Sequence, residues 1–373
     1  MTPIGNPPVA PTGDDSPWTH TELAAQAAAR ARRDGGLLVC SGGTTGTPKI
    51  TALSPDLGVT RVLASWQPLG PGDVLLNLFS VGKMWGAQYF YNAFALRSRA
   101  VVAPMGALNP AEVRQWAPDL INMGVTAIAG APNVLAHFAD AVREIGLSLP
   151  VRAALWSGEP MTAARQRAIR AAFPQVGFWG NYGSIETFVI ATSGPRCRLG
   201  AMHLLPDQVI EPDEGGALLT RHGEGWPTDA RRFRLGDRIA ATGCPCGEAD
   251  AIEVLGRADD NFKLGGGMIS AGVLLRNAAG LDGVEDVQLV LYRDPRVPAA
   301  VVGLRLRYTG PNPDAEGIRE QLVQGYEDLE VLNRHSPEAV VVERVSAVTR
   351  HPATDKVVPV LWENAEDLAG VAS

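Results

Sequence analysis

Between residues 57 and 179 the chain alternates apolar runs with stretches of helical spacing, and this alternation restricts its fold more than any other feature. Apolar runs at 74–79, 100–104, 126–129, 153–156 and 176–179 predict strands. The stretches 57–66, 88–96, 110–123, 133–145 and 162–173 predict helices among them. Strands alternating with helices specify an α/β fold, a mostly parallel sheet covered on both faces. Ligands of such sheets sit beyond the carboxyl ends of the strands. The segments there are 80–83, Met105-Gly106, 130–132, 157–160 and 180–186; they are small, polar or Gly-rich, as a site requires.

The flanks differ in texture. Residues 1–17 are expected to be a flexible lead-in. A helix is predicted to begin near Thr19, with Glu22 completing a capping box, and to run through 24–33. Short strands at 208–211, 217–221, 234–241 and 252–255 predict a β-rich subdomain over about 197–255. Beyond Gly256 a helix at 271–279, strands at 287–292 and 300–308, a helix at 315–328 and a strand at 339–345 predict a small α+β unit. The expected division is a large domain over 18–257 and a small one over 258–373. The run Lys263-Leu264-Gly265-Gly266-Gly267 is Gly-rich enough to permit a hinge.

At 373 residues there is room for two domains, and 46% hydrophobic with 20% charged residues is a globular composition. A net charge of −7 without a basic run argues against a nucleic-acid partner. No 18-residue apolar run is present, so no membrane span is expected. The Pro- and Gly-rich start has no apolar h-region, so no signal peptide is expected. Four cysteines do not make a disulfide framework, and a reducing cytoplasm is the expected compartment.

After an apolar run at 37–40 comes Ser41-Gly42-Gly43-Thr44-Thr45-Gly46-Thr47-Pro48-Lys49. Its glycines permit a turn with bare N–H groups that can face an anion, and four hydroxyls and a Lys add donors. It lacks the Gly-Lys-Ser/Thr helix opening of P-loop kinases. A Gly/Thr-rich surface hairpin is the alternative. In Asn181-Tyr182-Gly183-Ser184-Ile185-Glu186 a Gly allows close backbone approach, an aromatic can stack on a base and a carboxylate can hold Mg²⁺. The plainer reading is a strand-to-helix turn with a solvated Glu. Ser157-Gly158-Glu159-Pro160 follows another strand. Arg234-Leu235-Gly236-Asp237-Arg238 offers a carboxylate for two ribose hydroxyls, or a plain hairpin Gly-Asp.

The nine residues from Ser41 to Lys49 resemble the nucleotide loop of the adenylate-forming superfamily, which comprises acyl-CoA synthetases, adenylation domains and luciferases. The other segments resemble that family's motifs in the family's order. Asn181 to Glu186 resembles Tyr-Gly-Ser/Thr-Thr-Glu, with Ile185 for the usual Thr; the implied roles are nucleotide contact for Tyr182 and metal binding for Glu186. Ser157 to Pro160 resembles the adenine-flanking turn, and the Asp237 segment the Thr-Gly-Asp motif, with Leu235 at the Thr position. Gly256-Arg257-Ala258-Asp259-Asp260, with Lys263 beyond it, resembles the hinge motif: Arg257 is implied to contact ribose or phosphate, and Asp259 to be the residue about which the small domain turns. His351-Pro352-Ala353-Thr354-Asp355-Lys356 resembles the C-terminal Pro-x-Thr-x-x-Lys motif, with Asp355 for Gly, and Lys356 as the implied catalytic lysine. A surface Lys near the terminus is the alternative. The resemblance implies a large domain shortened at its front, since 40 residues precede the loop. The phenylacetate-CoA ligase branch is already short there, and the short adenylating enzymes of phenazine-antibiotic tailoring are a further resemblance.

The resemblance implies ATP- and Mg²⁺-dependent activation of a carboxylic acid, expected to be aromatic, to an acyl-adenylate. Lys49 and the loop hydroxyls would hold phosphates, Glu186 with Thr45 the Mg²⁺, and Asp237 and Arg257 the ribose. Transfer to CoA, a carrier-protein thiol or another acceptor would follow, and a homodimer is conceivable. A degenerate nucleotide-binding relative without adenylation activity is the alternative. Lys83, Met84, Trp85, Gly86, Tyr89, Phe90 and Gly130 stand where relatives line the acyl pocket; Trp85, Tyr89 and Phe90 equally fit a helix core. Cys197, His203, Cys244 and Cys246 form a donor set for tetrahedral Zn²⁺ of structural type, with unligated cysteines as the alternative. Phenylacetate-CoA-ligase-like proteins show a similar pattern.

Overall fold

The computed structural model describes residues 3–5, 16–41, 49–82, 84–259, 261–350 and 357–365. These divide into two compact units, one running to Ala258 and the other beginning at Asp259.

The frame of the first unit is a nine-stranded mixed sheet. Its strand order is Asp237–Ala241, Ala251–Arg257, Ala201–Leu204, Phe188–Ser193, Gly177–Ser184, Ala153–Trp156, Ala127–Gly130, Val74–Asn77 and Val101–Pro104. The last five are mutually parallel and joined by helices Gly86–Arg97, Pro110–Met123, Pro132–Glu144 and Ala163–Ala172. This is the part the alternation predicts. The central parallel strands Ala127–Gly130 and Ala153–Trp156 are apolar and buried throughout because both faces are covered. Leu76, Ile128 and Ala154 join one core with Val113, Leu120, Phe138 and Ile169. Their neighbours Leu75, Ala127 and Leu155 point the other way and join Phe90, Phe94, Val59 and Val62. Among the described residues no helix is long and apolar enough to cross a membrane.

The other half of the sheet is antiparallel. It differs from the sequence expectation in three places, one of them strand Ala201–Leu204, which no expected strand covers. The strand expected to end at Trp179 continues to Ser184 and reverses into Phe188–Ser193, a fully buried apolar strand that the alternation does not disclose. The strand expected over 234–241 is two, Ala230–Arg234 and Asp237–Ala241, in different sheets. Gly236, at φ 75°, takes the chain out of the extended region between them. Helix His20–Asp34 carries the expected Thr19–Glu22 capping box.

The second unit holds a four-stranded sheet in the order Val340–Arg344, Val297–Tyr308, Val287–Asp294 and Val360–Asn364. Helices Ala271–Ala279, Ala315–Gln324 and Glu327–His335 contribute Leu274, Ile318, Leu322, Leu329 and Leu332 to a core with Leu289, Leu291, Leu304 and Leu306. The helix expected over 315–328 breaks at Gly325 and restarts at Glu327. The expected Gly-rich hinge is instead a hairpin turn. Gly265 and Gly266, at φ 62° and 84°, join Asn261–Leu264 to Gly267–Ser270, and two consecutive positive φ values are what a type I′ turn needs.

Candidate functional site

Three residues from separate sequence motifs converge in the antiparallel half. Tyr182, Asp237 and Arg257 stand on three strands of the large sheet. Asp237 and Arg257 are cross-strand partners in register. The buried Tyr182 hydroxyl donates to Asp237 Oδ2 at 2.7 Å, and Arg257 Nη1 lies 3.4 Å from Asp237 Oδ1. Arg257 Nη1 also donates to the Leu235 carbonyl at 3.2 Å. A Cβ on Gly236 would fall 2.5 Å from Arg257 Nη2, so glycine makes room for the guanidinium. Burial, and then the Asp237 charge, push the Tyr182 phenol well above its ordinary pKa. Tyr182 therefore stays a neutral donor, and the Asp237 carboxylate has one oxygen on a phenol and the other near a guanidinium.

Asn181, Tyr182, Gly183 and Ser184 are ladder residues rather than a turn after a strand. The register shifts between Tyr182 and Gly183, and a Cβ on Gly183 would fall 1.8 Å from the Phe188 carbonyl oxygen. The turn itself is Ile185, Glu186 and Thr187. Glu186 is half-buried there, and its carbonyl accepts from Thr228 Oγ1 at 2.9 Å. Asn181 Nδ2 donates to the Tyr91 hydroxyl at 2.8 Å, and Tyr91 also hydrogen-bonds Ser157. Burial raises the Tyr91 pKa against those two hydrogen bonds, and its ring stacks on Phe79. Tyr91 thus ties together two segments singled out from the sequence. The available signal was a tyrosine inside a buried apolar helix, where its hydroxyl needs a partner.

In the Ser157-Gly158-Glu159-Pro160 segment Glu159 is buried and accepts from the Asn133 N–H at 2.9 Å, in the first turn of helix Pro132–Glu144. Arg165 Nη2 lies 3.4 Å from it. The carboxylate satisfies a helix N-terminus that has no other side-chain cap. Gly158 sits at φ 89°, open to solvent on its Cβ side.

Ser41 pairs with Lys49 at the mouth of the hairpin Leu37–Ser41/Lys49–Leu53, and Lys49 is exposed. Gly42, Gly43, Thr44, Thr45, Gly46, Thr47, Lys83 and Lys356 lie outside the described residues. In the second unit Lys263 is half-buried opposite Met268, and Asp259 accepts from Asn261 N and Nδ2 at 3.2 and 2.9 Å. Of the acyl-pocket set, Phe90 is core, edge-on to Phe188. A Cβ on Gly86 would press on Phe188 and Val39, and one on Gly130 on Leu135. Tyr89 and Met84 are exposed, and Trp85 is half-buried.

The ligand atoms of Cys197, His203, Cys244 and Cys246 all lie within 4.8 Å of one another. Cys197 comes from the connection between Phe188–Ser193 and Ala201–Leu204; His203 from the latter strand; Cys244 and Cys246 from the turn between Asp237–Ala241 and Ala251–Arg257. His203 Nδ1 is 2.8 Å from the Ala249 carbonyl, which turns Nε2 inward, 3.1 Å from Cys246 Sγ. Burial opposes a Cys244 thiolate, but N–H groups at Cys246 and Arg198 and the Cys246 and His203 side chains outweigh it and bring the thiol down to about 6. Burial and the neighbouring Cys244 and Cys246 charges push Cys197 up to about 12. Three sulfurs and one oriented imidazole at this spacing fit a tetrahedral cation of zinc type. Cys40 is buried in the first strand, away from this set.

Comparison with known proteins follows the same lines. The family model of the AMP-binding enzyme matches residues 8–218. The indoleacetate–lysine synthetase of Pseudomonas savastanoi is 24% identical over 220 residues, 59% of this chain; the match spans 55% of that relative's length. A 2-hydroxyisobutyryl-CoA ligase crystallised with its acyl-adenylate and CoA superposes with a TM-score of 0.66 at 18% identity, over 95% of this chain and 81% of its own. An amide bond synthetase from Marinactinospora thermotolerans superposes with a TM-score of 0.59 at 19% identity, over 86% of this chain and 67% of its own. At these identities the structural likeness speaks for the fold.

Proposed function

Because the chain belongs to the AMP-binding enzyme family, we propose that it activates a carboxylic acid with ATP, giving an acyl-adenylate and pyrophosphate. The observation that carries this reading is the Tyr182–Asp237–Arg257 cluster, in which a carboxylate presents its oxygens between a phenol and a guanidinium. Asp237 accepts the ribose hydroxyls and Arg257 adds positive charge beside them. The loop from Ser41 to Lys49 holds the β- and γ-phosphates. Glu186 and Thr45 hold Mg²⁺, which supplies charge neutralisation on the phosphate oxygens. The substrate carboxylate attacks the α-phosphorus and the bond to pyrophosphate breaks. Lys356 offsets the charge that builds there. Ser157 to Pro160 flank the adenine.

The acid is aromatic in this reading. Met84, Trp85, Gly86, Tyr89, Phe90 and Gly130 line the approach to it, and Lys83 meets a polar substituent. After adenylation the second unit turns about Asp259, and Lys263 moves with it. The acceptor is an amine, CoA or a carrier-protein thiol, and the first is favoured by the likeness to an indoleacetate–lysine synthetase and an amide bond synthetase. The Cys/His set holds structural zinc in the manner of the phenylacetate-CoA ligase branch, and the enzyme works in the cytoplasm. Ile185, Leu235 and Asp355, which depart from the family pattern, favour a second reading, a nucleotide-binding relative without turnover.

The deciding experiment is pyrophosphate release over a panel of aryl and alkyl acids, with CoA, lysine or neither. Release with at least one acid, and a loss of about a thousandfold or more in Lys356→Ala with folding intact, is expected. AMP binding without release across the panel establishes the second reading. Full activity in Lys356→Ala removes the lysine from the mechanism.

A further inference from the structure

Arg221 ends the strand Leu218–Arg221 and has no solvent exposure. Burial lowers its pKa to about 9, against the pull of Asp229, so it is still a cation at neutral pH. Among the described residues none of its hydrogen bonds goes to a carboxylate. Nε donates to the Thr228 carbonyl at 3.1 Å, Nη1 to the Val189 carbonyl at 3.2 Å, and Nη2 to the Thr187 carbonyl and to Thr228 Oγ1. Its guanidinium carbon lies 4.5 Å from the Trp226 ring centroid, so an aromatic face shares the charge. Thr228 Oγ1 passes the interaction on, donating to the Glu186 carbonyl at 2.9 Å.

Three carbonyls of one short segment, at 186, 187 and 189, are therefore held by a single buried group and its relay. Ser184 Oγ fixes the same turn from its other end by accepting from the Thr187 N–H at 3.2 Å. A hairpin turn whose task is chain reversal needs no enclosed cation, and burying one is costly unless its donors are satisfied. The segment so fixed is the one that presents Glu186. Resting on the adenylation reading, we propose that Arg221 is a positioning residue: through the Thr187 and Val189 carbonyls and the Thr228 relay it presets Glu186 for the Mg²⁺ that accompanies ATP. Groups that orient a metal ligand from behind set metal affinity.

The test is the Mg²⁺ dependence of two quantities in the full chain, pyrophosphate release and binding of a fluorescent ATP analogue, for wild type, Arg221→Lys and Thr228→Val. Arg221→Lys keeps a basic side chain and loses the fork. It should raise the half-saturating Mg²⁺ concentration about tenfold while the KM for the acid stays within about twofold. Thr228→Val keeps the shape and removes the relay. It should raise half-saturation about threefold, with a thermal midpoint a few degrees below wild type because two hydrogen bonds of the Thr228 hydroxyl are lost. A merely structural role lowers the midpoint and leaves the Mg²⁺ dependence of the folded fraction unchanged; that result overturns the proposal. If Arg221→Lys does not fold, Thr228→Val decides. Should wild type bind Mg²⁺·ATP and release no pyrophosphate, the adenylation reading fails, and the binding curves still decide the role of Arg221. Nucleotide binding indifferent to Mg²⁺ in wild type overturns both.

Discussion

One β-hairpin carries two unlike clusters, one at each end. At its open end Asp237 and Arg257 face each other in register, with Tyr182 reaching in from another strand of the sheet. At its closed end the turn brings Cys244 and Cys246 to His203 and Cys197. The first cluster is electrically complete: its carboxylate has a phenol and a guanidinium, and its geometry follows from strand register. The second has soft donors crowded together, with burial and then the neighbouring Cys244 and Cys246 charges raising Cys197, and a single imidazole among them. Its geometry follows from one ladder residue, His203, and from cysteines on connections and a turn that have no ladder of their own. A cluster that satisfies itself persists without a ligand; a close set of soft donors has the composition that a zinc-type cation fits.

The contrast is broken most directly at the closed end. Purified protein is expected to carry about one equivalent of zinc, and Cys246→Ser to lose it. Losing a structural metal on the scale of about 3 kcal/mol lowers the thermal midpoint by roughly 6–12 °C in a unit of this size. Elemental analysis beside a melting curve checks both. A variant that melts with wild type and a wild type free of metal would reduce the set to packed cysteines. The open end should respond less in stability and more in binding. Asp237→Asn leaves a buried phenol and a half-buried guanidinium without their anion, at a cost of about 2 kcal/mol, and weakens AMP by about tenfold or more. Denaturant unfolding and AMP titration read the two effects separately. Unchanged AMP affinity would remove Asp237 from the nucleotide site.

The same contrast explains which parts were legible in the sequence. Helix Pro110–Met123 and strand Ala153–Trp156 fall on their expected residues. Their signals are local: Asn109 and Glu112 form a capping box, Gly124 closes the helix in the left-handed region, and the strand is a short run between polar breaks. The antiparallel half carries weaker signals. Phe188–Ser193 is buried on both faces, so it shows no alternation to distinguish it from the tail of the preceding motif. Residues 234–241 have strand composition throughout, and the φ of Gly236 that splits them is not visible in composition. Gly325 interrupts the 315–328 helix although an isolated Gly is often tolerated inside one. Asp237 and Arg257 were selected from two motifs 20 residues apart, yet their opposition is a matter of register. Arg221 was passed over because its role lies in backbone and side-chain partners distant in sequence.

The smallest expected effect gives the sharpest test of whether the open end is self-satisfied. Tyr182→Phe keeps the ring and removes one hydrogen bond to a carboxylate, which costs about 1 kcal/mol at neutral pH. Alkaline pH then separates this bond from general packing. The Tyr182 pKa in the folded chain is raised above its unfolded value near 10. A raised group contributes its stability in full below the unfolded pKa and loses it as pH rises toward the folded pKa. Above about pH 10 the unfolded chain can release this proton and the folded chain cannot, so wild type should lose roughly 1.4 kcal/mol per pH unit on its account. Tyr182→Phe should lack that increment, and the two stability curves, measured by denaturant unfolding from pH 8 upward, should converge as pH rises. Parallel curves would mean that the Tyr182 phenol ionises as readily in the folded protein as in the unfolded chain, and the open end of the hairpin would then not be satisfied by its own residues.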